Sequence, residues 1–320
     1  MAVGAWAEDE DSTLIVNGST APNIDGSADS GAVYIYTRSG TIWTQQAYIK
    51  AYNSESLDYF GRSIDLFEDT LVVGAPGESE ASSVIVNGTT APETNGAAAS
   101  GAVYVYKRTG SSWEQEAYIK SSNSGASDEF GSSVSVFGDT LVVGAKLEDS
   151  SESTITNGTT SSASDTLSDS GAVYIYTRSG SSWSQQAYIK ASNSSEDDQF
   201  GSHVSISHHT LAVASPLEDE AESVITNGTT SPNFDGAADS GAVYIYHRDG
   251  SGSWQQQAYI KAVNSESLDL FGSSISLQGN ELAVGAPMES ENLNVILNAM
   301  PFSTFCLIFG VTNTSLTLQS

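Results

Sequence analysis

Short apolar runs alternate with polar turns along the chain, and the alternation itself repeats. The stretch DEFGSSVSVFGDTLVVGA, from Asp128 to Ala145, holds two such runs. In the first, Val134 and Val136 share one face of an extended segment and Ser133 and Ser135 the other, which predicts a half-buried strand over Gly131 to Phe137. The second, Thr140 to Ala145, is apolar throughout, as a strand covered on both faces would be. Gly138-Asp139 between them suits a tight hairpin. Upstream, Ala102 to Lys107 reads AVYVYK, rich in β-branched and aromatic residues. A turn at Thr109-Gly110 leads from it to a fourth predicted strand, Trp113 to Lys120.

The same unit returns as DYFGRSIDLFEDTLVVGA from Asp58, DQFGSHVSISHHTLAVAS from Asp198 and DLFGSSISLQGNELAVGA from Asp269. A copy without its first half opens the chain as MAVGA. Trp43, Trp113, Trp183 and Trp254 step by 70, 70 and 71 positions, and the extra residue falls in the turn after Arg248. Four antiparallel strands per repeat cannot bury their faces alone and must stack on neighbours. The fold class expected is all-β: a β-propeller of four-stranded antiparallel blades, with about four blade equivalents over residues 1–291. A linear β-solenoid is the alternative, but 70 residues is long for one coil. There are four FG strands and five GA strands. Either the last FG strand pairs with MAVGA and closes a four-bladed ring, or the array is an open piece of a larger propeller; the second uses every strand. MAVGAWAEDE reads as strand and acidic loop rather than signal peptide, as in a fragment or incomplete gene product.

Between the second and third strands lies a long insert, Pro76 to Ser100 in one copy, in which Val84 to Gly88 predicts a small hairpin or folded lobe. The tail, residues 292–320, leaves the pattern and is expected to stand outside the propeller. Its apolar stretch is broken by Asn298 and Pro301, so it gives no clear membrane span.

Charge sharpens this picture. The chain has 39 Asp and Glu against 11 Lys and Arg, a net charge of −28, which argues against nucleic acid as a partner. If the strands alternate in direction, the hairpin turns lie at one end of the blades and the longer loops at the other. Most carboxylates fall in the longer loops, among them Glu8, Asp9, Glu10, Asp11, Glu148, Asp149, Glu218, Asp219 and Glu220, with Lys50, Lys120, Lys190 and Lys261 at the margin. That end would attract Ca²⁺ or a basic partner, or serve only solubility. Candidate Ca²⁺ ligands are Asn23, Asp25 and Asp29 in NIDGSADSG, Asn233, Asp235 and Asp239 in NFDGAADSG, and Asp165 and Asp169. Turn chemistry accounts for the same Asp-Gly and Asn-Gly pairs.

The motifs Phe60-Gly61 with Gly74-Ala75-Pro76, Phe130-Gly131 with Gly144-Ala145, and Phe271-Gly272 with Gly285-Ala286-Pro287 resemble the FG-GAP repeat family, found in integrin α-chain propellers and in many secreted bacterial proteins. Ala214-Ser215-Pro216 replaces GAP in the fourth copy, and Trp6 and Lys146 stand where Pro is expected. The resemblance implies a propeller with extracellular or cell-surface binding or adhesion roles. The family's Asp-rich calcium loop before the GAP strand has no counterpart at Phe67-Glu68-Asp69 or Phe137-Gly138-Asp139. The version with a long insert before GAVYIY, as in bacterial proteins, fits better.

Sequons at Asn17, Asn87, Asn157 and Asn227 occupy one repeat position, and Asn193 and Asn313 add two. They are glycan acceptors in a eukaryotic secreted protein and Asn-Gly turns otherwise. His203, His208, His209 and His247 cluster in one repeat at ordinary strand and turn positions, without zinc-ligand spacing. The recurring Trp and Tyr read as inter-blade packing rather than a sugar platform. No nucleophile elbow or phosphate loop occurs, and the lone Cys306 forms no framework. The function expected is a non-enzymatic binding or adhesion module that contacts a protein or glycan through its acidic loop face, with Ca²⁺ as a candidate cofactor. An accessory propeller of a secreted hydrolase or lyase and a purely structural array are the alternatives.

Overall fold

A computed structural model describes residues 1–290 and the backbone of the strand Phe305–Phe309. The described residues contain no helix; their strands gather into five sheets. One sheet shows the repeat plan. Phe130–Phe137 pairs with Thr140–Ala145, which pairs with Ala172–Ser179, which pairs with Ser182–Ile189, all antiparallel. These are the four strands that the hydrophobic pattern predicts, in chain order across the blade. The insert departs from expectation. Its run Ile155–Asn157 forms no lobe of its own but adds a fifth strand to the outer edge, with Ile155 opposite Ile189 and Asn157 opposite Ala187. Ile85–Asn87 does the same in the preceding blade. An edge strand of three residues covers backbone groups that the Trp strand would otherwise expose.

The first sheet holds Ala2–Ala5, Ala32–Ser39, Ile42–Ile49 and Ile15–Asn17 and has no FG strand. The last FG strand, Ser274–Gln278, pairs with Glu281–Gly285 rather than with Ala2–Ala5, so strand exchange does not close a four-bladed ring. Phe305–Phe309 runs parallel to Glu281–Gly285. The rest of the 292–320 tail lies outside the described residues.

The core lies between sheets, not within one. Val72, Val105 and Ile119 of one blade pack with Phe130, Val143, Tyr174 and Trp183 of the next. The two signature motifs make this contact possible. A Cβ on Gly144, in the GA strand, would stand 2.0 Å from the carbonyl oxygen of Gly201 in the next FG motif, and one on Gly74 would stand 2.0 Å from that of Gly131. Only glycine admits so close an approach of backbone to backbone. The hydroxyls of Ser63 and Ser133 donate to those same carbonyls, each at 2.7 Å.

A second contact holds the outer edges together. The side chain of Asn157 pairs with the main chain of Trp254 in the next blade, accepting from its N–H at 2.8 Å and donating to its carbonyl at 3.3 Å. Asn87 does the same with Trp183 and Asn17 with Trp113. The sequon asparagines are therefore inter-blade latches in three of four copies. Each latched Trp is buried, whereas Trp43, which no asparagine latches among the described residues, is 51% exposed.

Candidate functional site

The register places the turns Gly138-Asp139 and Gly180-Ser181 at one end of the blade, since Thr140 lies opposite both Phe137 and Thr177. The inserts and inter-repeat loops occupy the other end, as the alternating strands predict.

That end is less anionic at its surface than the carboxylate count suggests. Glu10, Glu80, Glu148, Glu218 and Glu220 are buried, as are Asp58, Asp128, Asp198 and Asp269. Glu148 accepts hydrogen bonds from Asn123 at 2.8 Å, Tyr188 at 2.9 Å and Lys190 at 2.9 Å. Lys190 also donates to Ser170, whose hydroxyl bonds the carbonyls of Glu148 and Ser150. Lys120 with Glu78 and Lys261 with Glu218 repeat the pairing. These lysines sit inside the structure, not at the loop margin. Burial lowers their pKa values, and the adjacent glutamate opposes the shift. A buried charge needs such a partner and further hydrogen bonds to be tolerated. The network ties each insert to its sheet. Buried Asp58, Asp128 and Asp198 accept the amides of Glu55, Gly125 and Ser195, and desolvation raises their pKa values to about 7, about 7 and about 8.

The candidate calcium ligands have turn roles. Asp25 and Asp235 bridge to Glu10 and Glu220 through the backbone. Asp29, Asp169 and Asp239 take left-handed backbone angles, and their amides donate to Asp9, Asp149 and Asp219. Asn23, Asp165 and Asn233 are exposed. Desolvation, then the charge of Asp149 or Asp219, raises the Asp169 and Asp239 carboxyls. Among the described residues no three His, Cys, Asp or Glu side chains meet in a metal-holding group.

The histidines divide. His208 stacks on Phe137, and His209 takes the place that Asp69 and Asp139 hold elsewhere, meeting its blade's arginine, Arg248, at 3.1 Å. Both lie at the hairpin end. His203 lies at the opposite end, in a different setting.

The FG strands of successive blades face a common hollow of about 960 Å³ that opens on the loop end. Its walls come from the same few repeat positions in blade after blade. Where the repeat has Ser132 and Ser202, one blade has Arg62; where it has Ser63 and Ser133, another has His203; where it has Pro76 and Pro216, two others have Trp6 and Lys146. Tyr59, Glu129 and Gln199, all with left-handed backbones, share one further position on the wall. Arg62 lies over the Trp6 ring at 4.8 Å, Trp6 meets Tyr59 edge-on at 5.8 Å, and Lys146 pairs with Glu129 at 3.0 Å. Desolvation in the hollow, then the charge on Lys146, lowers the His203 pKa. Spacing and composition mark the repeat, but only the sheet order reveals that these departures from it share one wall. Comparing the copies position by position is the signal that finds them.

Stacked antiparallel blades joined through paired FG and GA glycines define a propeller-type repeat protein. The FG-GAP repeat family matches residues 43–106, 113–176, 183–246 and 254–295, well over half of the chain, and the chain belongs to that family. No curated protein matches it. Propeller domains of this family are often involved in binding or adhesion and commonly engage protein ligands; such repeats are typical of extracellular proteins. No helix among the described residues is long and apolar enough to cross a membrane.

Proposed function

We propose that this chain is a non-catalytic, extracellular or cell-surface binding module that engages a protein or glycan at the loop end of its blades. One observation supports this above the others. Trp6, Arg62, Lys146 and His203 break the repeat, and all four line the same hollow at that end. A purely structural array would keep its own small Ser and Pro there, because those residues already satisfy the fold in the other copies. Exposed Asp9, Asp11, Asp25 and Asp235 surround the loops with negative charge and favour a partner with a basic rim. Calcium assistance belongs to the same reading.

Immobilised chain offered to extracellular-matrix proteins and a glycan array tests it directly. Saturable capture that falls with added salt is expected, since rim charges are screened. Absence of any saturable ligand would leave the structural and accessory-domain readings. Melting with and without millimolar Ca²⁺ tests the metal part by linkage: a raised midpoint supports it, and an unchanged one confines the reading to metal-free binding.

A further inference from the structure

The hollow carries a charge pattern opposite to the chain's. Of the eleven Lys and Arg, four lysines are buried against the inserts, and four arginines, Arg38, Arg108, Arg178 and Arg248, lie over the tryptophans of their own blades. Lys107 lies beside Thr70 at the hairpin end. The remaining two, Arg62 and Lys146, both line the hollow, beside His203. In a chain of net charge −28, a guanidinium would ordinarily find a carboxylate, yet Arg62 has none among the described residues and lies on the ring of Trp6 instead. Lys146 has one carboxylate, Glu129. Three donors of hydrogen bonds thus converge on one concave wall, next to the aromatic surface of Trp6 and Tyr59.

We propose that the hollow is a binding site for a small ligand carrying an oxyanion group, a carboxylate or a phosphate. Arg62, Lys146 and His203 hold the anionic group, and Trp6 and Tyr59 form the apolar wall against the rest of the ligand. Arginine presents a planar fork of donors that matches either oxyanion, and such charge-assisted bonds are stronger than neutral ones. The surrounding negative field repels large polyanions, so the site selects a small anion over an acidic polymer. The proposal rests on the binding-module reading above and names the ligand class of its central site.

Calorimetric titration of the full chain with glucuronate, inorganic phosphate and neutral glucose tests it. Saturable binding of glucuronate or phosphate, but not of glucose, is expected, and the two anions tell the carboxylate source from the phosphate source. The control variant combines Arg62→Ser, Lys146→Pro and His203→Ser. Each substitution installs the residue that other copies of the repeat already carry at that position, so the variant should melt as the parent does. It should lose affinity by at least about tenfold, the value of one charge-assisted contact. Failure of both anions to bind, equal binding of glucose, or unchanged affinity in the variant would overturn the proposal. If both anions fail while the immobilised chain still captures a matrix protein or glycan, the ligand class is wrong and the binding-module reading stands.

Discussion

The hydroxyl of Ser133 donates to the main-chain carbonyl of Gly201, 68 positions further along, at 2.7 Å. The bond crosses from one blade to the next at the point where Gly144 leaves room for the approach. Gly144→Ala would place a methyl group where that carbonyl now lies. The expected cost is about 1–3 kcal/mol, the usual range for overpacking a tight contact. Urea unfolding of the variant and the parent measures it. The natural comparison is inside the chain: the fourth blade carries Ala214 and His203 as cross-strand partners where the others pair Gly with Ser, and no bond of the Ser133 kind is made there.

Asn157 and Asn227 occupy one repeat position with different surroundings. Asn157 bonds both main-chain groups of Trp254, and Asn227 makes no such pair among the described residues. Asn157→Ala should therefore destabilise by about 1–2 kcal/mol, and Asn227→Ala by well under that. Equal effects in chemical denaturation would show that the latch contributes nothing beyond local turn preference.

Glu148 lies under an insert with Lys190, Tyr188 and Asn123 bonded to it. Replacing it with Ala leaves a buried ammonium without its counter-charge, at a cost of about 3–5 kcal/mol. Replacing both Glu148 and Lys190 with apolar residues should recover much of that loss. Thermal melts of the single and double variants distinguish pairing from mere burial.

The pH dependence of stability has a definite sign. Asp58, Asp128 and Asp198 titrate near 7, 7 and 8 in the folded chain, above the ordinary carboxyl value. Between pH about 4 and pH about 7–8 the folded chain thus holds more protons than the unfolded one, and stability falls as pH rises through that window. Relief of self-repulsion on acidification acts in the same direction. The melting temperature is expected to rise from pH 8 to pH 5. Changing all three to Asn, which keeps a carbonyl for the loop amide, should flatten the slope; an unaltered slope would assign it to net charge alone.

Much of this architecture was legible in the chain. The alternation of Val134 and Val136 with Ser133 and Ser135, and the wholly apolar Thr140 to Ala145, specify strands by local pattern. The fixed tryptophan spacing makes the array visible without any long-range information. The fifth strand was not legible, because Ile155–Asn157 is only three residues long and gains its conformation from the edge it covers. Nor does composition distinguish Glu148 from Asp149, which are neighbours in sequence, one buried against Lys190 and the other partly exposed. Burial depends on which side of the insert faces the sheet. The hollow was hidden for a related reason: Trp6, Arg62, Lys146 and His203 come from four different blades and meet only after stacking.

Stacking in this register is the central claim, and the pair Arg178 and Glu116 tests it most directly. They belong to adjacent blades and lie 3.0 Å apart, with the indole N–H of Trp183 donating to the same carboxylate oxygen. A double-mutant cycle with Arg178→Met and Glu116→Gln should give a coupling of about 1 kcal/mol or more. Strict additivity of the two substitutions would contradict the arrangement of the blades.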